Sequence, residues 1–288
     1  MKQAILISTG LLLTTPFIHA EKNKDKKPNV VFILADDLGY GDLSCYGQEK
    51  FETPNIDKLA QSGMRFTQCY SGTTVSAPSR SCLLTGTHSG HTPVRGNLEL
   101  DPEGQFPLPD DARTIFEVMK DAGYKTSAFG KWGLGYIGST GDPKNQGCDT
   151  FYGYNCQLLA HSYYPDHLWD NDKRVELEDN NLNVQYGKGT YSQDLIHGKA
   201  LEYLDNMNPD EPFFMWYPTI IPHAELIVPE DSIIQKFRGM YRKSLTKEPN
   251  RVARLSAREV TVRSSIHMQL SLLWSTVWTS MSGRSSKS

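Results

Sequence analysis

The sequence predicts an α/β fold in which helices flank a mostly parallel central sheet. Two uninterrupted apolar runs, VVFILA at residues 30–35 and PFFMWY at residues 212–217, are typical of strands buried on both faces. Between them, strand-like and helix-like patterns alternate, which favours βαβ units and therefore parallel strands. Because ligands bind such sheets at the carboxyl ends of the strands, the residues that directly follow each strand are the first functional candidates.

The elements between the two apolar runs are predicted from local signals. TPNIDKLAQSG, residues 53–63, indicates a helix with Thr53 as cap, Pro54 at its first position and Gly63 as terminator. MRFTQCY, residues 64–70, alternates like a strand, and residues 125–129 are a further strand. Two more helices are expected, one over residues 113–122 and one capped by Ser192. Their apolar faces are Ile115, Val118, Met119 and Ala122 for the first, and Ile196, Ala200 and Leu204 for the second.

Composition narrows the class of protein. A chain of 288 residues with 38% hydrophobic content can bury the core of one large or two small domains. The formal net charge of −3 argues against a nucleic-acid partner, since such domains are usually strongly basic. The five cysteines are odd in number and lack zinc-finger spacing, so each is read as a small buried apolar residue. A disulfide between Cys148 and Cys156 is the alternative.

The first 27 residues predict export. Residues 1–20 combine Lys2, an Ile- and Leu-rich stretch and Ala20 before a charged run, which is the pattern of a cleaved signal peptide. Residues 21–27 form a charged linker. A membrane anchor is the alternative, but Ser, Thr and Pro interrupt the apolar stretch, and it is short for a bilayer span. We expect a periplasmic or secreted protein without stable membrane insertion.

Two short motifs carry chemistry. Asp36 and Asp37 close the first strand and direct carboxylate oxygens at one place, as a hard cation such as Ca²⁺ requires; a solvated turn is the alternative. In SAPSRSCLLTG, residues 76–86, Pro78 favours a helix start just after Ser76, whose free N–H groups attract an anion. Arg80 adds a cationic fork suited to sulfate or phosphate. The alternative makes Ser76 an ordinary cap and Arg80 a surface charge.

SAPSRSCLLTG resembles the signature of the type I sulfatases. In that family the first signature residue is oxidised to formylglycine, whose hydrate attacks sulfur with one oxygen and later expels sulfate by collapse to the aldehyde. The resemblance implies that Ser76 is the modified residue and that Pro78 and Arg80 belong to the maturation signal. It also implies that Arg80 then holds the hydrate in place. A serine-type signature implies maturation by a formylglycine-generating radical S-adenosylmethionine maturase. An unmodified serine would be a poor nucleophile.

The resemblance extends over residues 28–238, which are predicted to be the N-terminal portion of a sulfatase catalytic domain with an alkaline-phosphatase-like fold. It implies Ca²⁺ ligands at Asp36, Asp37 and Ser76. It further implies sulfate contacts from Lys131 in GKWGLG and from His223 in TIIPHAEL, the latter also protonating the leaving oxygen. The substrate implied is a sulfated glycan or an aryl sulfate. Independently, His161 lies among aromatic residues that suit a sugar pocket; a packed loop is the alternative.

Two departures from the family pattern alter the expectation. Gly133 stands where most members have His, and Asp-Asn-Gly, the second metal-binding pair of the family, does not occur in the chain. Residues 239–288 are rich in Ser and Arg, with Glu248 and Glu259 as the acidic residues. They are expected to be a non-family tail, frameshifted, truncated or disordered. Two alternatives to a sulfatase therefore stand: an inactive remnant that binds sulfated glycans, and a phosphatase or phosphodiesterase that uses unmodified Ser76.

Overall fold

A computed structural model describes residues 27–180, 189–223, 227–229 and 235. The strands in these residues are β1 Val30–Leu34, β2 Lys125–Lys131, β3 Thr150–Tyr154, β4 His167–Asp170, β5 Lys173–Glu176 and β6 Phe213–Pro218. They form one sheet in the order β1-β6-β2-β3-β4-β5. The first four strands in this order pair in parallel, and β4 and β5 continue the sheet antiparallel. This confirms the predicted mostly parallel α/β sheet.

Helices cover both faces of the sheet. Within the described residues the α-helices are α1 Pro54–Ser62, α2 Ser76–Thr85, α3 Ile115–Asp121 and α4 Ser192–Asn206. Successive residues of β6 point to opposite faces: Met215 packs in the core beneath α4, and Trp216 packs in the core beneath α2 and α3. Burial on both faces explains why this strand is apolar at every position.

Several predictions made from the sequence are confirmed. The strands at residues 30–35 and 212–217 are present as β1 and β6, and the strand at 125–129 is part of β2. The predicted face of the last helix is buried through Ile196, Ala200 and Leu204. Ser192 is the first helical residue of α4 and not its cap; its hydroxyl donates to the Tyr163 carbonyl at 2.9 Å.

One prediction is wrong and another is only partly right. Residues 64–70 are not a strand: all of them are solvent-exposed, and no strand among the described residues pairs with them. The predicted apolar face of the helix at 113–122 is confirmed in part. Ile115 and Met119 pack against the core, but Val118 and Ala122 are exposed and Phe116 is the buried residue. Thr114 and Glu117 form a capping box that starts α3 at Ile115.

Strands β3, β4 and β5 were not predicted. Each has only four or five residues, and β4 and β5 also carry charged residues. Cys148 and Cys156 are buried and free, so they do not form the alternative disulfide. None of the helices in the described residues is long and apolar enough to cross a bilayer. The predicted signal peptide and the tail at 239–288 lie outside the described residues, and the boundary at residue 238 stays a prediction.

Candidate active site

The predicted site residues meet at the carboxyl edge of the parallel strands. Asp36 and Asp37 follow β1, Lys131 ends β2, and His223 follows β6. The Asp36 amide donates to the Ile221 carbonyl at 3.2 Å, which ties the loop after β1 to the loop after β6. Parallel pairing in the order β1-β6-β2 thus brings together groups that are far apart along the chain.

Helix α2 presents Ser76 at its first turn. The N-cap position is Val75, so Ser76 is not the ordinary cap that the sequence left open. The Ala77 amide donates to Asn97 Oδ1 at 2.9 Å, and the Arg80 Nε donates to Ser76 Oγ at 3.1 Å. Ser76 is half-buried and Arg80 is buried, which also excludes Arg80 as a surface charge.

A buried ion cluster surrounds Asp36. Lys131 Nζ lies 2.7 Å and an Arg80 terminal nitrogen 3.4 Å from Asp36 Oδ2, and the three side chains are at most 8% exposed. Arg80 also donates to the Lys131 carbonyl and lies over the ring of Trp216 at 5.7 Å. One guanidinium therefore links the helix that carries Ser76 with the ends of β1 and β2.

The charges in this cluster shift one another's ionisation. Burial alone would raise the pKa of the Asp36 carboxyl, but Arg80 and Lys131 beside it hold that pKa below its ordinary value. Burial and the neighbouring Arg80 lower the pKa of Lys131 to about 8, although Asp36 and Asp37 act in the opposite direction. Lys131 is therefore still mainly a cation at neutral pH.

The second half of the site is more open. Asp37 has φ of 62°, in the left-handed region that non-glycine residues rarely adopt, and such strain is often found at functional sites. Its carboxylate lies 3.5 Å from His223 Nε2. The rings of His223 and His161 stack with centroids 5.1 Å apart. Burial, Lys131 and His223 together lower the pKa of His161.

The structure adds residues that sequence reasoning missed. A hairpin at residues 97–106, here called the site hairpin, places Asn97 on the first turn of α2. At its other end Glu103 lies 2.8 Å from the buried imidazole of His167 and accepts from the Trp169 indole at 2.9 Å. Gln157, also unpredicted, is buried beside Gly133. No local pattern in the sequence marks these polar residues.

The oxygen donors have the chemistry that a hard cation prefers. Asp36, Asp37 and the hydroxyl of Ser76 are all oxygen groups, and Ca²⁺ takes about six to eight oxygens. However, no cluster of three or more His, Cys, Asp or Glu that could hold a metal ion occurs in the part of the chain that the structure describes. The described residues therefore account for only part of a Ca²⁺ shell.

The fold and the site together indicate the class of protein. The fold is an alkaline-phosphatase-like α/β fold, and its site has a hydroxyl residue at a helix N-terminus beside buried cations. The sulfatase family profile matches residues 28–258. The chain therefore belongs to the sulfatase family.

Relatives and a solved structure agree with this assignment. The chain is 31% identical over 245 residues to an N-acetylglucosamine-6-O-sulfatase of Bacteroides thetaiotaomicron, covering 85% of this chain and 38% of the relative. It is 31% identical over 277 residues to an arylsulfatase of Klebsiella aerogenes, covering 89% of this chain and 55% of the relative. The crystal structure of Ps i-CgsB in complex with k-i-k-neocarrahexaose superposes with a TM-score of 0.70 at 25% identity, covering 88% of this chain and 55% of that one. The chain thus spans about half the length of these proteins or less.

Proposed function

We propose that the protein hydrolyses sulfate esters of glycans, with residue 76 as the nucleophile after its conversion to formylglycine. The observation that carries this proposal is the contact network through Arg80, which joins Ser76 to Lys131 and Asp36 at the carboxyl edge of the sheet. Membership of the sulfatase family supports the reaction class.

The cations of the site suit an anionic ester. Lys131 and Arg80 are buried next to each other, where the low dielectric strengthens their attraction for a sulfate group. Asp36 compensates part of their charge and keeps both side chains in place. His223 and His161 border the more open side of the site. There His223 contacts the sulfate ester and His161 contacts the sugar.

The position of residue 76 suits a nucleophile. It lies at the first turn of α2, at the positive end of the helix dipole, and the Arg80 Nε donates to its side-chain oxygen. When residue 76 carries the aldehyde, and when Ca²⁺ is bound at Asp36, Asp37 and residue 76, these groups supply an oxygen nucleophile and charge neutralisation. Lys131 and Arg80 hold the sulfate group of the ester next to that oxygen.

His223 is the candidate proton donor to the leaving sugar oxygen. Its Nε2 faces the Asp37 carboxylate, its ring stacks on His161, and its backbone carbonyl accepts from the Tyr163 hydroxyl. These contacts limit rotation of the imidazole, and general acid catalysis requires a donor held in a defined orientation.

The substrate class is proposed from the relatives. One relative's name specifies a 6-O-sulfated N-acetylglucosamine, and the solved neighbour contains a neocarrahexaose. We infer a sulfated glycan as substrate, with aryl sulfates as chromogenic substitutes. The serine at position 76 implies a radical S-adenosylmethionine maturase as partner, and the sequence of residues 1–20 supports export to the periplasm or secretion.

A second candidate function is binding of sulfated glycans without turnover. The buried cations favour it, because Lys131 and Arg80 can hold a sulfate group whether or not residue 76 is converted to formylglycine. A phosphatase that uses unmodified Ser76 is less favoured, because a serine without an activating group is a poor nucleophile.

Co-expression with a serine-type maturase tests the proposal. Mass spectrometry of the peptide that contains residue 76 should show the aldehyde, and the matured protein with Ca²⁺ should hydrolyse p-nitrophenyl sulfate in preference to p-nitrophenyl phosphate. Ser76→Ala, which cannot be converted, is the matched control for background hydrolysis. An unmodified serine would contradict the proposed nucleophile. Aldehyde without sulfate-ester hydrolysis, together with retained binding of a sulfated disaccharide, would favour the binding function.

A further inference from the structure

Gly133 lacks a side chain, and the carboxamide of Gln157 fills the resulting space next to Arg80, a member of the buried ion cluster. Gly133 follows Lys131 by two residues, and its amide donates to the Asn155 carbonyl at 3.0 Å. Its φ of +73° lies in the left-handed region that favours glycine. A Cβ at this position would come far inside contact distance of Gln157 Nε2 and within 3.1 Å of Gln157 Cδ. The Gln157 carboxamide therefore occupies the volume of the missing side chain.

The same volume borders Arg80. The Cβ position at residue 133 is 3.7 Å from Arg80 Cδ, so the Gln157 carboxamide that fills this position also lies near the stem of Arg80. Arg80 in turn donates to Ser76 Oγ and to the Lys131 carbonyl. We therefore expect a change in the packing at Gly133 to displace the guanidinium that contacts Ser76.

Gln157 is held in place mainly by packing. It is 1% exposed, its Nε2 donates to the Gly133 carbonyl at 3.4 Å, and its Oε1 has no hydrogen-bond partner among the described residues. Its backbone amide donates to Gln105 Oε1 of the site hairpin at 3.2 Å. The side chain of Gln157 is thus tied to Gly133 and its backbone to the site hairpin.

We propose that Gln157 is a positioning residue: its carboxamide fills the space at Gly133 and so keeps the Arg80 side chain in place. Gly133 and Gln157 then form a matched pair, in which the missing side chain of one makes room for the carboxamide of the other. The pairing is a property of the fold. The consequence for turnover rests on the proposed sulfatase function.

Thermal unfolding of four variants tests the pairing. Gly133→Ala places a methyl group against the buried carboxamide, and Gln157→Ala removes that carboxamide. Gly138→Ala is the matched control, because Gly138 also has a positive φ of +84° but nothing within 4 Å of its Cβ position. Gly133→Ala should lower the unfolding midpoint more than Gly138→Ala does. The double variant Gly133→Ala/Gln157→Ala should recover most of that difference, which makes the two effects non-additive.

Kinetics on the matured full chain tests the positioning role. With equal aldehyde content at residue 76, Gln157→Ala should lower kcat for p-nitrophenyl sulfate by about tenfold to a hundredfold while KM stays similar, because a small displacement of an orienting group costs transition-state stabilisation. Gln157→Met, which refills the volume, should restore most of kcat.

The outcomes separate the two claims. Additive effects of the Gly133 and Gln157 substitutions on the unfolding midpoint would overturn the matched pair. Non-additive unfolding with an unchanged kcat in Gln157→Ala would overturn the positioning role and leave a packing contact. A matured wild type that hydrolyses no sulfate ester would overturn the proposed function and the positioning role, while the unfolding cycle would still decide the pairing.

Discussion

The contact between the site hairpin and β4 predicts a pH-dependent stability that one substitution should remove. His167 is buried between two carboxylates: its Nε2 lies 2.8 Å from Glu103 and its Nδ1 2.7 Å from Asp166, which Arg174 also approaches at 3.2 Å. Burial alone would lower the pKa of His167, but the two carboxylates raise it above its ordinary value. Glu103→Gln keeps an acceptor for the Trp169 indole and removes the negative charge that faces Nε2.

The sign and size of the effect follow from this geometry. A histidine whose pKa is raised by folding stabilises the fold fully below its unfolded pKa, about 6.5, and that stabilisation is lost as pH rises through the folded pKa. Replacing a charged partner of His167 by a neutral one should cost about 1–1.5 kcal/mol, since charge-assisted contacts contribute roughly twice as much as neutral ones. For a chain of this size the unfolding midpoint should fall by about 2–6 °C at pH 6.

Thermal unfolding followed by circular dichroism between pH 5.5 and pH 9, in EDTA, measures this difference. The gap between wild type and Glu103→Gln should be largest at the acidic end and should shrink as pH rises. Glu202→Gln, which removes an exposed partner of Lys199, is the control and should leave the midpoint nearly unchanged. A gap that is equal at all pH values, or that grows with pH, would refute the reasoning.

Two further substitutions test the first turn of α2. Asn97→Ala removes the acceptor of the Ala77 amide and should destabilise the protein by about 1 kcal/mol, as loss of a helix cap does, measured by urea unfolding against Asn208→Ala as an exposed control. Arg80→Lys should lower kcat/KM for p-nitrophenyl sulfate by at least about a hundredfold, because an ammonium cannot contact Ser76, the Lys131 carbonyl and Asp36 at once. Full activity in Arg80→Lys with normal aldehyde content would show that the guanidinium does not orient residue 76.

Patterns within short segments predicted much of the fold. β1 and β6 are apolar at consecutive positions, and α4 repeats its buried residues at helical spacing, so both are visible without any partner segment. The strand expected at residues 64–70 shows the limit, because alternation produces a strand only where a neighbouring strand accepts its hydrogen bonds. Phe116 shows another, since it is buried beside Ile115 and Met119 although it lies outside the apolar face that helical spacing predicted.

Asp36 and Asp37 were identifiable from residue type and position, since they directly follow an apolar strand, whereas Lys131 and His223 were found through the resemblance to the sulfatases. Only the tertiary structure decided which side chains and backbone groups these residues contact. Lys131 meets Asp36 across 95 positions of chain, and Asn97 meets Ala77 across 20. Gln157 lies beside Gly133 because β2 and β3 pair in parallel register. Such contacts depend on strand order, register and burial, which arise only when distant segments pack together, so no local pattern encodes them.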